Sequence, residues 1–183
     1  TVVERIERFD RAWSRYRDDS LVSRIAREPG HHRLPDEAGV LLELYAELYA
    51  ATDGRVSPLV GGALAASGFG PRLAGVADAV PRWHDALAWD GTHLDTATPV
   101  LLDVGAAGKG LLVDLVSELL ARVGIARSVV DGSGDLRIRD VPMRIALEHP
   151  ADPTKAIGVA ELRHGALSAS AGNRRVQADG RHH

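Results

Sequence analysis

One segment of the chain combines small residues, a lysine and the expected start of a helix. It reads Leu101-Leu102-Asp103-Val104-Gly105-Ala106-Ala107-Gly108-Lys109-Gly110. Small side chains let a ligand approach the backbone closely, and the N–H groups at a helix N-terminus favour an anion. Lys109 adds a positive charge and is one of only two lysines beside 20 arginines. The segment predicts a phosphate or pyrophosphate site, and the alternative is a tight turn with a solvated lysine.

Two common nucleotide-binding motifs are excluded. A Walker A loop needs Ser or Thr directly after its lysine, and Gly110 stands there. Gly132-Ser133-Gly134 lacks the third glycine of a dinucleotide fingerprint, because Arg137 occupies that position. We therefore expect this Gly-Ser-Gly to form a hairpin turn. The eight histidines are scattered and form no helical two-histidine metal motif.

Composition narrows the class of protein further. With 183 residues and a formal net charge of −3, the chain is long enough for one domain and shows no basic footprint for nucleic acid. It has no cysteine, which excludes disulfides and zinc-thiolate sites. No apolar run approaches the ~18–20 residues that span a bilayer.

Hydrophobic spacing predicts the elements that would position the lysine segment. Apolar residues at intervals of three and four predict helices over residues 1–17 and 37–51, the first ending in Tyr16. Residues 101–104 read as a short apolar strand, and residues 111–123 as a helix that is mostly buried. Asp90-Gly91 and His164-Gly165 predict hairpin turns.

The last third of the chain reads as strands. They are expected over 128–130, 136–138, 143–147, 159–162 and 167–170. Helices followed by paired strands indicate the α+β class.

Several segments together resemble the ApbE family, the FAD:protein FMN transferases. Asp103-Val104-Gly105 through Lys109-Gly110, with Asp114 four residues on, resembles the signature D-L-G-x-x-x-K-G-x-x-x-D. Further matches follow in chain order along nearly the whole sequence: Trp13 to Ser20, Thr52 to Pro58, Gly68-Phe69, Ser133-Gly134-Asp135, Ser170 to Asn173, and Gly180 to His183. The last match favours native histidines at 182 and 183 over a tag remnant.

The resemblance implies a T-fold-like α+β architecture, with helices packed on a mainly antiparallel sheet in one domain over residues 1–183. It implies a Mg²⁺-dependent enzyme that binds FAD and transfers FMN to a Thr or Ser of a target protein, releasing AMP. Some relatives mainly hydrolyse FAD. The partners implied are FAD and the target protein, without nucleic acid, and with membrane contact only through an anchor preceding residue 1. The compartment is not indicated.

The same resemblance assigns roles to individual residues. Tyr16 would lie against the flavin, although a core tyrosine is the alternative. Arg55, Val56 and Ser57 would line FAD mainly through backbone atoms. Asp103 and Lys109 would contact FAD, with Lys109 at its phosphates as the catalytic residue. The carbonyl of Ala106 would be a magnesium ligand.

The chain also departs from the family pattern. Ala26, Ser57, Ser133 and Ala171 stand where the family has Asn, Asp, Gly and Ser. The family's A-D-A-x-x-T segment, which carries further magnesium ligands, and its Met-Gly-Thr start are not found, so the sequence is expected to be truncated at both ends. On its own it would then be inactive. A flavin-nucleotide binding module without catalysis remains the alternative to an enzyme.

Overall fold

The computed structural model describes residues 1–170, which fall into two compact units. The first unit is Thr1–Gly108, and the second begins at Lys109. The helices are α1 Val2–Trp13, α2 Leu21–Arg27, α3 Ala38–Ala51, α4 Gly61–Ala66, α5 Trp83–Ala86 and α6 Gly108–Arg122. The strands are β1 His31–Arg33, β2 Leu87–Trp89, β3 His93–Thr96, β4 Ser128–Asp131, β5 Asp135–Arg139, β6 Met143–His149, β7 Asp152–Leu162 and β8 Gly165–Ser168. Within residues 1–170, none of the helices has the length and hydropathy of a membrane-spanning segment.

The first unit packs helices and one small antiparallel sheet around an apolar core. The sheet has the order β1-β3-β2, and β2 and β3 form the hairpin predicted at Asp90-Gly91. The core is built from large side chains that are almost fully buried: Ile25, Leu41, Leu42, Tyr45, Leu59, Leu94, Leu101 and Leu102. The predicted 37–51 helix is confirmed as α3. A single domain over 1–183 stays a prediction.

Helix α1 is shorter than its hydrophobic spacing predicts. It ends at Trp13 because Ser14 takes an extended conformation, so Tyr16 lies in the following turn and is 66% exposed. The core-tyrosine alternative is therefore wrong. The N-terminal part of the stripe is also solvent-facing, since Ile6 is exposed. Arg5 is buried instead and pairs with Glu37 at 3.0 Å.

Leu101, Leu102 and Val104 are buried, but residues 101–104 do not form the predicted strand. They run as an extended segment, and the Asp103 N–H donates to the carbonyl of Pro58 at 2.7 Å. This bond ties the beginning of the lysine segment to the loop that precedes α4. The short apolar run cannot tell a strand from a buried extended segment, because both bury consecutive side chains.

The second unit contains α6, a three-stranded antiparallel sheet and a separate two-stranded ribbon. The sheet has the order β4-β5-β8, and β6 pairs with β7. All five strands predicted in this part are present, and β7 is longer than expected. The hairpin prediction at His164-Gly165 is wrong, because the chain turns there between strands of different sheets.

Helix α6 is only partly buried, which corrects the expectation of a mostly buried helix. Val113, Val116 and Ser117 are buried, whereas Val123 just beyond its end is well exposed. The leucines of its apolar band are partly exposed within the described residues. The mixed helical and antiparallel architecture nevertheless confirms the predicted α+β class.

Candidate functional site

Lys109 lies in the first turn of α6, where its ammonium group meets an acidic residue and a carbonyl. Its Nζ donates to the carbonyl of Ser133 at 2.9 Å and lies 3.1 Å from Asp135 Oδ2. The side chain is 47% exposed. An ammonium group has three N–H donors, so these contacts leave a third donor without a partner among residues 1–170. Lys109 is therefore held in place while it can still receive an anion.

The turn between β4 and β5 supplies both of these partners. Gly132 N–H donates to the carbonyl of Asp135 at 2.8 Å, and Ser133 N–H donates to Asp131 Oδ1 at 2.8 Å. This confirms the hairpin turn predicted for Gly-Ser-Gly. A Cβ on Gly132 would lie 2.7 Å from Val113 Cγ2, which is too close. The turn therefore approaches α6 closely because residue 132 has no side chain.

In the first unit, Asp103 is paired with a buried arginine that sequence reasoning did not single out. Arg15 Nε lies 2.5 Å from Asp103 Oδ2, and Arg15 is only 5% exposed. The other carboxylate oxygen, Oδ1, accepts from the Gly105 N–H at 2.7 Å. Asp103 thus caps the following turn. Both of its oxygens are used within the protein.

The remaining nitrogens of Arg15 are also engaged. Nη2 donates to the Tyr16 hydroxyl at 2.9 Å, and Nη1 donates to the carbonyl of Phe69. The next residue, Gly70, has φ +99°, and a Cβ there would lie 2.1 Å from Arg15 Nη1. The chain at Phe69 and Gly70 can therefore pass over the guanidinium only because residue 70 is glycine.

This close approach makes Gly70→Ala strongly destabilising. The new Cβ would displace the guanidinium and break its bond to Phe69, in addition to the strain of a positive φ. We expect a loss of about 3 kcal/mol in the free energy of unfolding, measured by urea denaturation. Gly68→Ala is the matched control, because Gly68 has φ +87° and no atom within 4 Å of a new Cβ. It should cost about 1 kcal/mol, and equal losses for the two variants would contradict the role of Gly70.

The three residues predicted to line FAD through their backbone lie in a tightly bonded loop. The Thr52 hydroxyl donates to the carbonyl of Leu48 at 2.6 Å and accepts from the Val56 N–H at 3.0 Å. Gly54, just beyond the end of α3, has φ +77°. Ser57 is buried, and its Oγ accepts from the Leu59 N–H at 3.2 Å. Arg55 is exposed, and the ligand contacts of 55–57 stay a prediction.

Tyr45 of α3 lies close to Asp103, Ala106 and Ala107 of the lysine segment. Burial raises its pKa to about 12, and the negative charge of Asp103 adds to the increase, while the backbone N–H groups of Ala107 and Ala106 act in the opposite direction. Its hydroxyl makes no hydrogen bond of normal geometry with residues 1–170. Tyr45 is thus a buried neutral phenol beside the Asp103 carboxylate.

An alkaline titration can detect Tyr45. A pKa raised from 10 to about 12 means that its contribution to stability is present below pH 10 and is lost between pH 10 and 12. Phenolate absorbance should show one of the three tyrosines ionising last, and Tyr45→Phe should remove that step. The variant should also lose less stability than wild type in this range. A late step that persists in Tyr45→Phe would contradict the assignment.

The described residues do not form a magnesium site by themselves. No group of three or more His, Asp or Glu side chains within residues 1–170 is arranged to hold a metal ion. Ala106, the predicted ligand, lies in the turn before α6 and offers only its carbonyl. Magnesium prefers about six oxygen ligands in octahedral order, so this one carbonyl does not define a site.

Two cavities of the first unit lie away from the predicted ligand residues. The smaller has a volume of about 60 Å³ and is lined by residues that include Gly62 and Leu101. The larger, of about 380 Å³, is lined by residues that include Trp83 and Trp89. Neither is lined by Tyr16, Asp103 or Lys109.

The sequence patterns do not predict a functional role for three of the residues described above. Arg15 and Asp135 stand within segments that carry the family resemblance, but neither was given a role. Tyr45 is one of several apolar residues in the predicted helix over 37–51. The signal that was available for Arg15 and Asp135 was their place inside matched motifs; nothing in the sequence distinguishes Tyr45.

The fold and these charged groups define an α+β protein with a candidate anion site at the start of a helix. The profile of the ApbE family matches residues 1–183, and the chain belongs to this family. A curated relative, the FAD:protein FMN transferase of Rhodobacter capsulatus, is 31% identical over 73% of this chain.

Solved structures agree with this assignment. The flavinyl transferase ApbE of Pseudomonas stutzeri, in its apo form, is 30% identical with a TM-score of 0.68 over 88% of this chain. The ApbE protein of Thermotoga maritima has a TM-score of 0.80 over 100% of this chain, and its 22% identity supports the fold alone. The chain spans 28% of the Rhodobacter protein, 56% of the Pseudomonas structure and 65% of the Thermotoga structure.

Proposed function

We propose that this chain is the FAD-binding part of a Mg²⁺-dependent FAD:protein FMN transferase. The hydroxyl of a Thr or Ser on a target protein attacks the phosphorus on the FMN side of the pyrophosphate. A P–O bond to the target forms, the P–O bond to AMP breaks, and the hydroxyl proton passes to water. The products are an FMN phosphoester on the target and free AMP.

The observation that carries this proposal is the position of Lys109 in a chain of the ApbE family. Its ammonium is held by Ser133 and Asp135 at the first turn of α6, where helix N–H groups also favour an anion. Cleavage of a pyrophosphate depends largely on positioning and on neutralising charge at the phosphoryl oxygens. A cation that is held at the first turn of α6 and is half exposed can position the phosphoryl oxygens and neutralise their charge.

Asp135 competes with the pyrophosphate for the positive charge of Lys109. Its carboxylate is attracted to the same ammonium that the pyrophosphate would contact. The third donor of Lys109 lets a phosphate oxygen bind without breaking the bond to Ser133 or the contact with Asp135. We therefore assign Asp135 to orienting the lysine.

The contacts of the other predicted residues indicate a role for each of them. Tyr16 offers an exposed ring for stacking on the flavin. Asp103, with both oxygens bonded inside the protein, acts by shaping the turn at Gly105. Arg55, Val56 and Ser57 contact FAD through the backbone of their rigid loop. Mg²⁺ belongs to the proposal as a Lewis acid at the phosphoryl oxygens when bound, with the Ala106 carbonyl as one of its ligands.

The test is to incubate the full-length protein with FAD, Mg²⁺ and a protein extract of the source organism. We expect release of AMP and a protein band that retains flavin fluorescence on a denaturing gel. AMP together with free FMN, without such a band, would indicate FAD hydrolysis. Binding of FAD without AMP would indicate a non-catalytic module, and absence of FAD binding would overturn the proposal.

A further inference from the structure

Arg15 joins three parts of the first unit that are far apart in sequence. It contacts Asp103 across 88 positions and Phe69 across 54 positions, and it also contacts its neighbour Tyr16. The guanidinium is buried, and each of its three nitrogens has a protein partner. A planar guanidinium presents its donors in a fixed fork, so the positions of these partners are fixed relative to one another.

Tyr16 is the exposed end of this arrangement. An aromatic side chain that is 66% exposed ordinarily has freedom to rotate, but here its hydroxyl accepts from Arg15 and its ring centroid lies 4.6 Å from Arg15 Cζ. The buried cation thus restrains a solvent-facing ring by a hydrogen bond and a cation–π contact. An exposed aromatic surface that is already ordered loses less entropy when it binds a flat ligand.

Asp103 is the second partner of Arg15 and lies in the protein interior next to the guanidinium. Its Oδ2 faces Arg15 and its Oδ1 accepts from the Gly105 N–H, so the guanidinium also orients the turn at Gly105 within the lysine segment. Gly70 leaves the space that the guanidinium occupies. The local backbone is therefore compatible with an arginine at position 15 that reaches all three partners.

We infer that Arg15 is a positioning residue, which holds the Tyr16 ring in a fixed orientation for stacking on a flavin and sets the Asp103 turn. The inference rests on the proposed function for the identity of the ligand. It assigns to Arg15 no contact with FAD. Arg15 acts on the flavin through Tyr16, by the hydrogen bond to its hydroxyl and the cation–π contact with its ring.

The experiment compares Tyr16→Phe, Arg15→Lys and the double variant of the full-length protein. Two readouts are used: FAD affinity by calorimetry, and the visible difference spectrum of bound flavin, which responds to stacking on Tyr16. Tyr16→Phe keeps the ring and removes only the hydroxyl that accepts from Arg15. We expect each single variant to lower FAD affinity about fivefold to tenfold and to change the difference spectrum in the same way. The double variant should bind FAD no more weakly than Arg15→Lys, because Arg15→Lys already removes the hydrogen bond that Tyr16→Phe removes.

Arg17→Lys is the matched control. Arg17 is two residues away, and its partners are the surface carboxylates Asp10 and Asp19. It should leave both readouts unchanged. If Arg15→Lys does not fold, Tyr16→Phe decides the question alone, because that side chain is largely exposed.

The outcomes separate the two proposals. Unchanged affinity and spectrum in Tyr16→Phe, or additive losses in the double variant, would overturn the positioning role while leaving FAD binding intact. If the wild-type protein fails to bind FAD, the proposed function fails and this inference fails with it.

Discussion

Lys109→Ala is expected to weaken FAD binding by about 1.5–3 kcal/mol, the usual cost of losing a hydrogen bond to a charged group. This corresponds to roughly a 10-fold to 150-fold increase in Kd. The ammonium lies at the first turn of α6, already oriented by Ser133 and Asp135. Its loss removes the one lysine charge of this turn without opening a cavity in the core, since the side chain is half exposed. Calorimetric titration with FAD measures the change.

The chain contains its own control for this result. Lys155 is the only other lysine, and it lies on β7, where it is 71% exposed and pairs with Asp152 at 2.8 Å. Lys155→Ala makes the same chemical change away from α6 and should leave the Kd for FAD unaltered. Equal affinities in Lys109→Ala and wild type would remove Lys109 from the phosphate site.

Asp103→Ala is expected to cause the largest loss of stability, about 3–5 kcal/mol. The substitution leaves the guanidinium of Arg15 buried without its carboxylate, and an unpaired buried charge is far more costly than a missing surface pair. It also removes the acceptor of the Gly105 N–H. Urea denaturation gives the free energy of unfolding directly.

An exposed ion pair provides the comparison for Asp103. Asp19 pairs with Arg17 at 2.8 Å, and both side chains are accessible to water. Asp19→Ala should leave the denaturation midpoint close to that of wild type, because water solvates the arginine that remains. An Asp103→Ala protein as stable as the Asp19→Ala protein would show that the Arg15–Asp103 pair contributes little.

The sequence could predict the elements and the position of Lys109, because both depend on local patterns. The spacing of apolar residues predicted α3 and most of the later strands to within a few residues, although β7 begins at Asp152, well before its predicted start at 159. The Asp90-Gly91 turn predicted the β2–β3 hairpin. The apolar spacing failed at the end of α1, where it continues to Tyr16 but the extended conformation of Ser14 ends the helix. Periodicity alone does not reveal a backbone break of one residue.

The partners of the site residues could not be predicted in the same way. The role of Arg15 depends on Phe69 and Asp103, which only tertiary structure brings to it. The same holds for Asp135, which meets Lys109 through the turn between β4 and β5. Tyr45 is a core tyrosine, and its raised pKa beside the Asp103 carboxylate becomes evident only from the fold. The order of the motifs along the chain indicates the family, whereas the contacts of the site residues can be known only from the folded structure.

The most direct test of FAD binding at Lys109 compares the chemical reactivity of Lys109 with that of Lys155, with and without FAD. The full-length protein is treated with a lysine-acylating reagent in the presence and absence of saturating FAD, and labelling at each lysine is measured by peptide mass spectrometry. Both side chains are accessible, so both should react in the absence of FAD. We predict that FAD strongly slows acylation of Lys109 and leaves that of Lys155 unchanged. Equal labelling of Lys109 with and without bound FAD would contradict the assignment of this lysine to the pyrophosphate.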